Sequence, residues 1–146
     1  MADRHLVDVH ILLGRDGELL LSRRRSADEF DGLWHLPAGK LESGESATAA
    51  AAREAEEEIG VLIDPAHLRL IHTAHVIGSG REARLGLFFH ALRWMGEPVN
   101  REPDKSYGLQ WFSLDALPEE SLIRYSATGI RGFTTGTPYS ELGWAT

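Results

Sequence analysis

The chain has 146 residues, 42% hydrophobic and 25% charged, with a formal net charge of −7 and no cysteine. This length predicts one domain spanning residues 1–146 around a single core, and the lack of thiols excludes disulfides, thiolate metal sites and a cysteine nucleophile. The acidic balance argues against a broad basic face for a nucleic-acid polymer, yet it permits a small anionic substrate neutralised locally by arginine or a metal ion.

The opening "MADRHLVDV" has no apolar signal region. No apolar run approaches the roughly 18 residues of a membrane span, so cytoplasmic residence is the expectation. "HLVDVHILL" (5–13) and "LLLSRRR" (19–25) read as strands around the turn "GRDGE" (14–18), predicting a hairpin. "RSADEFDG" (25–32) is loop, and "LWHLPAGKLESGES" (33–46) joins a short apolar piece to proline and glycine turn positions. "SATAAAAREAEEEI" (46–59) holds six alanines and no Gly or Pro, which makes it the strongest helix in the chain. Ser46 suits the N-cap, and Gly60 suits a left-handed position just past the helix end.

"HLRLIHTAHVIGS" (67–79) and "ARLGLFFHALRW" (83–94) read as strands around "GSGRE", and "YGLQWFSL" (107–114) as another after the polar loop "MGEPVNREPDKS" (95–106). A second helix is expected within 121–134, weakened by Gly129 and Gly132. Strands, helix, strands, helix predicts an α/β (α+β) sandwich. No histidine pair has helical metal-ligand spacing, and His72 and His75 point to opposite faces of one strand, so zinc is not expected. Core packing is the main expectation for Trp34, Trp94, Trp111 and Trp144.

The strong helix ends in "REAEEEIG" (53–60). Acids there oppose the negative end of the helix dipole, and Glu54 and Glu58, four apart, repel by about 0.2–0.5 kcal/mol. At about 100° per residue, Glu54, Glu57 and Glu58 share one face. Glu56 turns away at about 200°, and Thr48, Ala52, Ala55 and Ile59 offer a face that packs inward. One reading is a solvated acidic face in which Arg53 offsets Glu57. The other is a site for a hard cation such as Mg²⁺, which prefers carboxylates plus substrate phosphates. Spacing alone leaves both open.

The residues before the helix add a pattern. Gly39 is followed by five residues, Glu45, seven residues, Arg53-Glu54, apolar Ala55, one residue, Glu57-Glu58, one residue, Gly60 and apolar Val61. This resembles the Nudix box, G-x5-E-x7-R-E-U-x-E-E-x-G-U with U apolar, at every specified position over 23 residues. "LLLSRRR", "LWHLPAGKLESGES" and "LQWFSLDALPEE" resemble flanks of MutT-like Nudix hydrolases. The likeness covers roughly residues 5 to 120, and the last 25 carry no recognisable signature. Pro37-Ala38-Gly39 stands where the family usually has PGG.

The resemblance implies an α/β/α sandwich with a mixed sheet and a loop–helix site that hydrolyses a nucleoside diphosphate linked to another group. It implies Mg²⁺, with Mn²⁺ able to substitute, held by Glu54, Glu57, Glu58 and the Ala38 carbonyl. A further ligand comes from the later loop, where Glu102 matches and Glu97 competes. Glu54 or Glu57 would take the water's proton, Arg53 would hold a box glutamate, and Glu45 would brace the loop. Arg24, Gly39 and Lys40 would meet substrate, Gly39 and Gly44 would let the loop turn near the phosphates, and Gly60 would be structural. A nucleoside triphosphate, standard or modified, is the expected substrate. "HVIGSG" (75–80) lacks the proline and tyrosine that often mark ADP-ribose, nucleotide-sugar and dinucleoside polyphosphate enzymes. ADP-ribose or a nucleotide sugar remains the nearest alternative, and a non-catalytic nucleotide sensor the alternative of another class. No polymer or membrane partner is expected, and a homodimer is allowed.

Overall fold

In the computed structural model, which describes residues 1–78, 80 and 82–145, strand β1 (Leu6–Leu12) is buried on both faces over most of its length. Strand alternation sends Val9 and Ile11 to one face and His10 and Leu12 to the other. Each face has its own apolar cluster, so the sheet divides the single core expected from length into two. Val9 and Ile11 pack with Ala50, Ala51, Ala55 and Ile59 of helix α1 (Ala47–Ile59). Leu12 packs with Phe88 and with Ile130 of helix α2 (Arg124–Thr135).

Between the helices lies a five-stranded mixed sheet. Its order is β5 (Ala38–Lys40), β1, β7 (Ala83–Ala91), β6 (Leu68–Ile77), β9 (Tyr139–Leu142). The β1–β7 and β6–β9 pairs are parallel; β1–β5 and β6–β7 are antiparallel. A second sheet centres on β3 (Glu18–Arg24), which pairs with β2 (Gly14–Arg15), β4 (Trp34–His35) and β8 (Ser106–Ser113).

The hairpin predicted over 5–25 closes only at its tip, where Gly14 faces Leu19 and Arg15 faces Glu18. Past the tip, β1 joins β5 and β7 while β3 joins β8. The reason is two-sided burial. Leu20 enters one apolar cluster, Leu19 and Leu21 the other, so β3 belongs inside its own sheet.

Helix α1 has the expected ends. The Ser46 hydroxyl accepts the Ala49 N–H, and Gly60 is left-handed at φ 71°. Helix α2 also forms, and its glycines have a packing reason. A β-carbon at Gly129 would overlap the Phe88 ring, and one at Gly132 the His72 ring, so small residues let α2 lie close on the sheet. Strand β9 was not expected. It runs beside β6, with Thr73 opposite Tyr139, and only four residues of mixed polarity mark it. In the "GSGRE" connection and the "HVIGSG" stretch, Ser79 and Arg81 lie outside the described residues. Among the described residues no helix is long and apolar enough to cross a membrane.

Candidate active site

Helix α1 buries Ala50, Ala51, Ala55 and Ile59. On the helical wheel these span about 180°, and Glu54 and Glu58 fall within that arc. This corrects the expected inward face, since Thr48 and Ala52 are only half-buried. The three glutamates therefore differ. The Glu54 side chain is 14% exposed and that of Glu57 54%.

Glu58 Oε2 accepts the Ala38 N–H at 3.0 Å. The sheet register makes this contact available. Ala38 lies on the edge strand β5 opposite His10, with β1 engaging Pro37 and Leu41 on either side through Ile11 N–H to Pro37 carbonyl and Leu41 N–H to Val7 carbonyl. In an antiparallel pair, alternate residues turn their main-chain groups away from the partner, so the Ala38 N–H and carbonyl face α1. Gly39 follows, and its α-carbon abuts the Glu54 carboxylate. Burial pushes the Glu58 carboxyl up to about 8, and the neighbouring Glu54 and Glu102 charges add to this. Burial also raises Glu54, although Arg53 opposes it.

Arg53 ties the preceding loop to the helix. Its Nε and Nη2 donate to the two Glu45 oxygens at 2.9 and 2.7 Å. Its Nη1 reaches Glu54 at 2.9 Å and Glu57 at 3.2 Å, and Nη2 the Lys40 carbonyl at 3.3 Å. Glu45 also accepts the Glu42 N–H at 2.9 Å, and Arg53 holds the Glu45 carboxyl down to about 2. Gly44 takes the left-handed turn at φ 84°. The Lys40 residue is exposed.

Of the two later acids, Glu102 is the one that joins the cluster, because its charge acts on both Glu54 and Glu58. Lys105 Nζ lies 3.7 Å from it. Glu97 is instead exposed and paired with Arg15 at 3.1 Å. Arg53, Glu56, Glu57, Arg101 and Glu102 line an open groove of about 530 Å³. Glu56, which the wheel set apart, thus borders the groove while remaining exposed. Arg24 ends β3 opposite Ser106, but its guanidinium turns to Asp28 at 2.8 Å and Ser26 at 3.2 Å in its own loop. Arg101 was not anticipated in the groove. The signal available for it was a basic residue next to Glu102 in a chain whose helix end is short of cations.

The donor set suits a hard divalent cation: carboxylate oxygens and the outward carbonyl edge of Ala38, with no sulfur. Among the described residues, no three His, Asp or Glu side chains already form a closed metal cage. Each carboxylate is engaged instead: Glu54 and Glu57 by Arg53, Glu58 by the Ala38 N–H, Glu102 by Lys105. Mg²⁺ needs no such cage, since one or two carboxylates, waters and substrate phosphates satisfy it. Two carboxyls driven toward protonation by burial and by neighbouring glutamate charges are what such a cation relieves.

A family model for the NUDIX domain matches residues 3–131. The chain belongs to the NUDIX family. It is a MutT-like Nudix hydrolase, and two curated relatives make the likeness specific. An 8-oxo-dGTP diphosphatase of Haemophilus influenzae is 28% identical over 120 residues, 78% of this chain and 83% of that protein. Another, from Escherichia coli, is 31% identical over 111 residues, 76% of this chain and 81% of that protein. The crystal structure of a MutT NUDIX hydrolase from Burkholderia pseudomallei superposes with a TM-score of 0.81. It is 31% identical and covers 89% of this chain and 98% of its own. Enzymes of this family act on phosphoanhydride bonds in nucleotides, and the fold class expected from sequence is the one observed.

Proposed function

We propose that this single-domain cytoplasmic Nudix hydrolase is a Mg²⁺-dependent pyrophosphohydrolase. It cleaves a nucleoside triphosphate, standard or modified, to the monophosphate and pyrophosphate. One observation carries the reading: half-buried Glu54 and Glu58 converge with Glu102 beside an open groove, and the Glu102 charge adds to the rise that burial gives both carboxyls. Separate surface acids would not pay that electrostatic cost.

A divalent cation bound there supplies neutralisation of phosphate oxygens and a bound water of lowered pKa. Glu57, Glu58, Glu102 and the Ala38 carbonyl would hold it. Glu54 accepts the proton of the attacking water; burial raises its basicity, and a base is more effective as its pKa approaches the working pH. Arg53 fixes the direction of Glu54 and Glu57 and anchors both to the loop through Glu45. Gly39 leaves room for the Glu54 carboxylate beside β5. Lys40 and Arg24 receive the outer phosphates, with Arg24 exchanging its Asp28 partner for substrate. Attack at the inner phosphorus makes pyrophosphate the leaving group.

The two 8-oxo-dGTP diphosphatases among the relatives support a triphosphate over a dinucleotide. The test is a substrate panel at fixed Mg²⁺, with phosphate and pyrophosphate measured separately. At least one nucleoside triphosphate should exceed ADP-ribose and nucleotide sugars in kcat/KM, releasing pyrophosphate. ADP-ribose as the best substrate, yielding AMP and ribose phosphate, would overturn the substrate class.

A further inference from the structure

The loop that carries Glu102 is held by three sets of hydrogen bonds. Its first anchor is the C-terminal end of α1, where the last carbonyls have no intrahelical partner. The Val99 N–H donates to the Ile59 carbonyl at 2.9 Å, and the Arg101 N–H to the Glu58 carbonyl at 3.0 Å. Arg101 Nη1 donates to the Glu56 carbonyl at 3.2 Å, putting a cation at the negative helix end among the glutamates. Gly60 makes the contact tight, since a β-carbon there would stand 3.0 Å from Arg101 Cδ and 3.2 Å from Val99 Cγ2. Glu102 is the next residue, so the loop's register on the helix sets it beside Glu58.

The second anchor is internal. Half-buried Asn100 accepts the Glu102 N–H on Oδ1 at 3.1 Å and donates from Nδ2 to the Ser106 carbonyl at 2.9 Å. The Glu102 carbonyl in turn accepts the N–H of Lys105 at 2.9 Å and of Ser106 at 3.0 Å. The third anchor is β3 and its end. The Arg25 N–H donates to the Lys105 carbonyl at 2.9 Å, and Arg25 Nη1 to the Pro103 carbonyl at 3.2 Å. Among the described residues, Asn100 alone joins both stems of the turn through one side chain.

We infer that Asn100 is a positioning residue for Glu102, fixing its main chain so that its carboxylate meets the cation site formed by α1. This rests on the proposed role of Glu102 as a metal ligand. A glutamate on an unfixed backbone must lose main-chain freedom as well as side-chain rotamers when it ligates. Groups that orient metal ligands typically contribute about 10- to 100-fold to metal affinity or activity.

The test titrates turnover against Mg²⁺ at saturating nucleoside triphosphate for Asn100→Ala, Asn100→Asp and Glu102→Gln. Amide hydrogen exchange is measured alongside, on metal-free protein. Asn100→Ala should raise half-saturating Mg²⁺ about tenfold, keep kcat at saturating Mg²⁺ within about threefold, and speed exchange at Glu102 and Ser106. Asn100→Asp retains the acceptor for the Glu102 N–H and should recover most of the metal affinity. Unchanged Mg²⁺ dependence in Asn100→Ala, beside a shifted Glu102→Gln, overturns the inference, as does unchanged protection of the Glu102 amide. If Glu102→Gln itself leaves Mg²⁺ dependence unaltered, the ligand role of Glu102 falls, and exchange still decides separately whether Asn100 fixes the turn.

Discussion

The α-carbon of Gly39 lies so near the Glu54 carboxylate that a β-carbon would occupy the same space. Gly39 is not among the residues with positive φ, so the requirement is room rather than a left-handed backbone. Gly39→Ala should displace Glu54, break its bond to Arg53 and lower turnover at least a hundredfold. The protein should still fold, with a melting temperature lower by several degrees, because overpacking costs about 1–3 kcal/mol. Steady-state kinetics and thermal melts check both; near-normal turnover would mean that Glu54 has another place to go.

Glu58→Gln should trade stability against activity. The Glu58 carboxyl stands at about 8, against an ordinary 4.5. Between those values the folded state holds a proton that the unfolded chain releases, so stability falls as pH rises through the window. A neutral amide removes that cost and can still accept the Ala38 N–H. In EDTA at pH 8, Glu58→Gln should be more stable than wild type, and the gap should shrink toward pH 5. Turnover should drop by orders of magnitude. Glu56→Gln, on an exposed side chain at the groove rim, should stay within about threefold of wild type. Denaturant titrations at pH 5 and 8 read the first effect and initial rates the second.

Metal should act on stability with the opposite pH trend. A cation must displace the proton from Glu58, so its affinity should strengthen as pH rises toward about 8. Mg²⁺ or Mn²⁺ in excess over its Kd should raise the melting temperature by mass action, more at pH 8 than at pH 6. Chelator should abolish hydrolysis. Undiminished turnover in excess EDTA would end the metal mechanism.

His10 gives a separate pH signature. It is fully buried, stacked on Phe88 with ring centroids 4.1 Å apart, and neither ring nitrogen has a hydrogen-bond partner among the described residues. Burial lowers it from 6.5 to about 3. Below pH 6.5 the unfolded chain takes a proton that the folded state refuses, so stability falls with pH until about 3. His10→Leu should match wild type within about 1.5 kcal/mol at pH 7.5 and exceed it by more at pH 5. Asp8 titrates lower: burial raises it, but Arg84 and Tyr125 together hold it below its usual range. Parallel acid profiles for the two proteins would exclude the His10 contribution.

Local sequence determined the parts of this protein that depend on near neighbours. Helix α1 follows from its alanines, the Ser46 cap and Gly60, and the Gly39–Val61 spacing carries the family, because loop, helix and carboxylates must keep fixed distances along one short segment. Tertiary structure decided the rest. Strands β1 and β3 look like hairpin partners in sequence, but both are buried on two faces, and such a pattern does not specify which sheet a strand enters. The burial of Glu54 and Glu58 could not be read from helical angles, because their surroundings come from β5 and the 95–105 loop. The contrast between Glu102 and Glu97 rests on the same ground. Both are loop acids in the sequence; main-chain hydrogen bonds from Val99 and Arg101 to the end of α1, some forty residues earlier, bring one to the site and leave the other with Arg15.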